Sequence, residues 1–282
     1  MLDQPNFRTA NQRQTILAWV ILLPLVVLIL APMWHFLVYS FVPSRIQFDW
    51  PYQWLPLQPT LENFLRLFRD DSLPAARWFV NTVSVTLVGT TLVVLISSLS
   101  GYAFARLIFP GRDFLFYMLL IGLMVPTAVT LIPAFLLLRD VKLLDTHLAL
   151  WLPALANAGG MFLLRQHFFS IPKELEDSAR VDGAGRFRLY WQICMPLVQS
   201  SLVAQSILSF LFFWNDLFWP LIVLSDRDKL TLPVGILFMS FRGGMGVYFA
   251  AGVLSAIPAI IAYLVFQHRI VESVTAASLA GR

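Results

Sequence analysis

Charge is missing from most of this chain, and it is missing in blocks. Residues 14–44, 78–105, 114–138, 146–164 and 243–268 contain no Asp, Glu, Lys or Arg, and residues 189–225 contain only Asp216. A soluble fold must cover its surface with polar side chains, and about a quarter of residues are charged in ordinary soluble domains. Here 13% are charged and 58% are hydrophobic, a balance suited to lipid. About 20 apolar residues cross the hydrocarbon core of a bilayer. Each block is long enough, 146–164 only barely. The expected fold is therefore all-α: a polytopic membrane protein with six transmembrane helices at about 16–42, 78–104, 114–138, 147–165, 199–224 and 247–267, forming one transmembrane domain over residues 1–282.

The first block is too long for the 7–15-residue apolar core of a cleavable signal, and it reads as a retained helix. Six spans put both termini on one side. With that side cytoplasmic, the inner segments carry Arg8, Arg13, Arg106, Arg112, Arg165, Lys173, Arg180, Arg186, Arg188, Arg269 and Arg282, a small excess of positive charge over the outer loops. The outer segment 43–77 starts rich in Pro and Trp and ends in "TLENFLRLF", which fits a short interfacial helix capped by Thr60. The outer segment 225–246 has an apolar middle too short to cross. Prolines fall inside five spans (Pro24, Pro32, Pro126, Pro133, Pro153, Pro220, Pro258), each a place for a kink.

Several chemistries find no support. No GxxxxGK[ST] phosphate loop occurs, and "GAGR" at Gly183 lacks its Lys and Ser or Thr. The four histidines fall in separate segments, and the single cysteine, Cys194, can form no internal disulfide. The chain is thus expected to bind no cofactor or metal and to carry no catalytic residue. Net charge is +4 without a basic run, so no nucleic-acid surface is expected.

The anomaly is "ELEDSARVDGAGRFRLYWQICMP", Glu174 to Pro196, charged and broken by glycine between apolar spans. Pro172 and the following acids suit a helix start, and Asp182–Gly183 suits its end. Ile171, Leu175, Ala179 and Asp182 share a face. The segment reads as an amphipathic elbow on the cytoplasmic surface, either a solvated connection or a docking site. Asp216 is the second candidate, because an ionisable residue inside a span is costly. With Trp214, Asn215 and Trp219 it offers aromatic faces and polar groups for a sugar, or it satisfies a broken helix before Pro220.

The elbow resembles the cytoplasmic EAA loop of ABC-importer permeases. Asp177–Ser178–Ala179 stands at EAA, Gly183 at the glycine, Ile193 at the isoleucine and Met195–Pro196 at Leu-Pro, over loop 171–196. Residues 81–112, "WNDLFWPL" (214–221), "LTLPVGI" (230–236) and the tail 266–282 are similar to the MalG-like branch of carbohydrate importers. The resemblance implies a bacterial inner-membrane permease subunit that couples ATP hydrolysis in a separate chain to alternating access for a sugar or sugar-like solute. It implies a second permease subunit, making a heterodimer, an ABC ATPase dimer holding ATP and magnesium, and an extracytoplasmic solute-binding protein. Glu176, Asp177, Ser178, Ala179, Asp182, Gly183 and Ala184 would then couple to the ATPase, and Met239, Arg242, Gly243 and Gly244 would contact the binding protein. The alternatives are a glycerol-phosphate or polyol importer, and more remotely an ion-coupled transporter, for which intramembrane charges in several spans are expected and only Asp216 is found.

Overall fold

The computed structural model describes residues 7–46, 53–69, 73–242 and 244–280, and among these no β-strand occurs. The helices are α1 (Phe7–Ser40), α2 (Glu62–Arg69), α3 (Ala75–Arg106), α4 (Arg112–Leu123), α5 (Thr127–Asp140), α6 (Leu148–Leu155), α7 (Ala158–Ser170), α8 (Lys173–Val181), α9 (Arg186–Arg188), α10 (Met195–Leu197), α11 (Gln199–Asn215), α12 (Phe218–Val223), α13 (Leu232–Arg242) and α14 (Met245–Ala280). A π-helical turn, Leu189–Cys194, joins α9 to α10.

Three stretches are continuous helices long and apolar enough to cross a membrane: Ala18–Ser40, Ala75–Arg106 and Met245–Phe266. Three more form if bent pairs are each taken as one span: α4 with α5 (106° bend), α6 with α7 (46°), and Arg186–Leu197 with α11 (81°). The prolines do not all mark the bends. Pro24, Pro32 and Pro258 lie inside unbroken helices, whereas Pro126 is extended and opens α5. The stretch expected as a span at 199–224 stops being helical after Asn215 and restarts at Phe218.

The chain divides into two compact units, residues 1–73 with 236–254 and residues 74–235 with 255–282. In the first, Asn63 on α2 is buried and donates its amide to Ser40 O (2.9 Å) and Val42 O (2.8 Å), while Thr60 Oγ1 accepts from Glu62 N (3.1 Å) as the expected cap. Phe249 packs edge-on against Phe36 and His35.

In the second unit α3 is the axis, packed by α6, α7 and α11. Close approach depends on glycine. A Cβ on Gly101 would stand 3.0 Å from Arg165 N and 3.1 Å from Met161 O, so α3 and α7 meet backbone to backbone. Small residues at helix interfaces allow such contact where lipid supplies no hydrophobic drive between helices.

Candidate functional site

The charged elbow folds as a helix, a tight turn and a second helix. α8 runs from Lys173 to Val181 after Pro172, with Glu174 and Glu176 in its first turn. Gly183, at φ +82°, turns the chain without the steric cost another residue would meet. Asp177, Ser178, Asp182 and Gly183 are exposed, and Ala179 and Ala184 are half-buried. Asp177 is held along the helix by Arg180 (2.8 Å). Exposed apolar side chains flank these groups: Val181 is 89% and Phe187 74% accessible. Large apolar side chains left exposed among polar ones are the composition expected of an association surface.

Glu176 departs from the expected set. It is 2% exposed and points into the protein. Its Oε1 lies 3.0 Å from Arg106 Nε at the end of α3, and its Oε2 lies 3.2 Å from Arg180 Nη2. It cannot touch another chain in this arrangement; it anchors α8 to the rest of the unit. The expected apolar face also shifts: Ile171 is buried, but Leu175 is 44% exposed while Glu176 takes the inward position.

The second candidate cluster is occupied by structural contacts. Trp214 is 2% exposed, stacks on Phe210 (5.6 Å, 7°) and donates to Ser255 O (3.0 Å). Trp219 donates to Ala149 O (2.9 Å). Asp216 Oδ1 accepts from Trp219 N (3.3 Å), which caps α12 after the break, and Asn215 Nδ2 returns to Leu211 O (2.9 Å). These bonds lie around the break between α11 and α12, and Asn215 is exposed beside them.

A larger feature went unnoticed in the sequence. A cavity of about 1050 Å³ opens where α6 and α7 bend apart, with α11 as its other wall. Asn157 Oδ1 caps α7 by accepting from Gly160 N (2.6 Å). Gln205 lies against Gly160, where a Cβ would overlap its amide, and donates to Ser209 Oγ (3.2 Å). Gln166, His167 and Ser170 add polar groups, and among the described residues no Asp, Glu, Lys or Arg lines the cavity. The signal was Gln205 and Ser209 at i, i+4 spacing, two polar residues on one face of an apolar helix.

In the loop after α5, Asp145 sits at φ +61° and accepts from Ser225 N (2.9 Å) and Asp226 N (2.8 Å), and from Lys229 Nζ (3.3 Å). Burial pushes its carboxyl up, but the two amides and Lys229 outweigh this and hold it below the ordinary 3.8. Of the residues expected to meet a binding protein, Met239 is fully buried and offers no contact surface, and Gly244 is exposed at φ +78°. Arg242 ends α13, but its side chain and Gly243 lie outside the described residues. Among the described residues no three His, Cys, Asp or Glu side chains gather at metal-ligand distance.

Residues 94–275 match the family model described as "Binding-protein-dependent transport system inner membrane component". The chain is 36% identical over 228 residues to the arabinooligosaccharides transport system permease protein AraQ of Halalkalibacterium halodurans, covering 80% of this chain and 81% of that one. It is 30% identical over 250 residues to the sn-glycerol-3-phosphate transport system permease protein UgpE of Yersinia pestis, covering 86% and 89%. Its fold matches a chain of a bacterial ABC transporter involved in import of the acidic polysaccharide alginate, with a TM-score of 0.85 at 24% identity, over 94% of this chain and 99% of that one.

Proposed function

The chain belongs to the family of binding-protein-dependent transport system inner membrane components, and from that premise we propose that it is the permease subunit of an ABC importer for a neutral sugar or oligosaccharide. It spans the membrane several times and hydrolyses no nucleotide itself. ATP and magnesium belong to a partner ATPase dimer, a second permease completes the pathway, and a solute-binding protein delivers the substrate from outside. Both termini and α8 lie on the cytoplasmic side.

The observation that carries this reading is α8. Its inward face is anchored by Glu176, its outward face presents Asp177, Ser178 and Val181, and Phe187 of α9 is exposed beyond the turn. A short helix fixed on one side and exposed on the other can receive motion from a partner and pass it on, which transport driven by a separate ATPase requires. Ala179, Asp182, Gly183 and Ala184 complete that face. On the outer side, Gly244 and the end of α13 at Arg242 are the part of the expected binding-protein contact that this reading retains.

The cavity supports a neutral solute. Amide and hydroxyl groups from Asn157, Gln205 and Ser209 can exchange hydrogen bonds with sugar hydroxyls, whereas a phosphate or uronate would enter without a cation beside it. UgpE keeps a second reading in view, glycerol phosphate import. Uptake of labelled arabinotriose, lactose and sn-glycerol-3-phosphate should be compared between the wild-type cell and one lacking this chain. Loss of saccharide uptake alone is the expected result; loss of glycerol-3-phosphate uptake alone would replace the sugar reading with the phosphate one.

A further inference from the structure

Arg106 and Glu176 bury opposite charges at the junction of three helices. Their side chains are 5% and 3% exposed. Arg106 is the last residue of α3, and its guanidinium does more than neutralise Glu176. Its Nε and Nη2 donate to Phe168 O at 3.0 and 2.6 Å, and Nη2 also donates to Ile171 O. These are carbonyls at the C-terminal end of α7, where Phe168 O has only the long cap bond from Ile171 N (3.4 Å) among the described backbone groups. One planar fork therefore ties the end of α3 to the end of α7 and to the carboxylate of α8, a task lysine's single ammonium cannot reproduce.

The rest of the elbow is fastened to the same two helices. Tyr190, in the π-helical turn, shares a hydrogen bond of 2.7 Å with Ser98 of α3. Tyr190, Cys194 and Val198 join Tyr102 of α3 and Leu164 and Phe168 of α7 in one buried cluster. Beneath it, Gly101 lets the backbones of α3 and α7 touch. The route from α8 to α11, in contrast, runs through a π-helical turn and then an 81° bend at Val198. Such turns are recurrent sites of local rearrangement.

We propose that Arg106 and Glu176 are positioning residues that make α8 one mechanical body with α3 and α7, so that a displacement of α8 reaches those helices directly and α11 less rigidly, through its packing on α3 and the bend at Val198. This rests on the reading of α8 as the element an ATPase moves. Coupling then enters the span formed by α3 first, and the cavity between α7 and α11 changes shape because its two walls follow α8 unequally.

The test is made on the complete complex in lipid nanodiscs, without nucleotide and after trapping with ATP and vanadate. Spin labels are placed at Ser178→Cys with Leu95→Cys on α3, and at Ser178→Cys with Leu208→Cys on α11; Leu95 and Leu208 are exposed, and Cys194 is fully buried. The 178–95 distance should stay within about 2 Å between the two states, the scale of ordinary helix shifts, while the 178–208 distance changes by more. In Arg106→Lys or Glu176→Gln complexes the 178–95 distance should change as well. A 178–95 distance that moves in the wild type overturns the inference, as does a 178–208 distance that stays fixed. Variants that leave 178–95 fixed also overturn it. If a variant does not assemble, the wild-type pair of distances still decides. A Ser178→Cys complex that hydrolyses ATP yet gives no cross-link between α8 and the ATPase removes the docking reading and this inference with it. A cross-link together with a moving 178–95 distance removes the inference alone.

Discussion

Asp145→Ala should loosen the turn at Ser225–Asp226 and leave the helices intact. Asp145 stands where the chain is left-handed, and its Oδ1 is the acceptor for two consecutive backbone amides, Ser225 N and Asp226 N. A hydrogen bond to a charged group contributes about 1.5–3 kcal/mol. The carboxylate is one-third exposed, so the low end applies to each bond. Two such bonds come to roughly 3 kcal/mol of local opening energy, and alanine at a left-handed position adds about 1 kcal/mol of strain. At 1.4 kcal/mol per factor of ten, the protection of these two amides against hydrogen exchange should fall at least about a hundredfold. Asp145→Asn keeps an oxygen acceptor and a residue that tolerates this backbone, so its loss should be closer to tenfold. Exchange read by mass spectrometry on the peptide containing residues 222–230 measures both. Protection within about twofold of wild type in Asp145→Ala would refute the idea that this carboxylate holds the turn.

Gly235→Ala places a methyl group against the indole of Trp78, which is 1% exposed and pinned by its bond to Arg227 O (2.7 Å). Overpacking of this kind costs about 1–3 kcal/mol, so the purified protein should melt at a lower temperature; an unchanged midpoint would contradict the packing. Because Asp145 has its pKa held below 3.8, its contribution to this turn is fully present above that value and is lost as pH falls through the lowered one. Exchange protection of Ser225 and Asp226, corrected for intrinsic rates, should be flat above pH 4 and fall only in stronger acid. Glu176→Ala strands part of a buried guanidinium, at about 3 kcal/mol, and should reduce recovery of assembled complex, with Glu176→Gln recovering more of it. Gly183→Ala forces a side chain into a left-handed turn at about 1 kcal/mol, with no steric clash to add, so its effect on complex yield should be small.

The spans were legible because excluded charge is a property of each block by itself. The 106° break between α4 and α5 was not, since proline content alone does not locate a bend: Pro24, Pro32 and Pro258 sit in continuous helix. The turn at Gly183 followed directly from local helix-stop chemistry. Glu176 could not be read locally. Helical spacing placed Leu175 inward, but the inward position belongs to the side chain whose counter-ion, Arg106, comes from another span. Trp214 and Asp216 look like a sugar site in one dimension because aromatic and acidic residues adjoin. In three dimensions Trp214 is buried and bonded to Ser255 O, and Asp216 Oδ1 accepts from Trp219 N. The cavity polar groups were missed for the converse reason: Asn157 and Gln205 are 48 positions apart in numbering and meet only where α6 and α7 part.

The most direct measurement is cross-linking from α8. Ser178 is exposed on the outward face, and the only native cysteine, Cys194, is fully buried and leaves little background. With Ser178→Cys in membranes containing the whole transporter, a thiol-to-amine cross-linker should join this chain to the ATPase subunit, and the yield should change when ATP and vanadate are added. Cross-links that form only to the neighbouring permease, or none to the ATPase in a complex that still transports, would contradict the assignment of α8 as the site where energy enters.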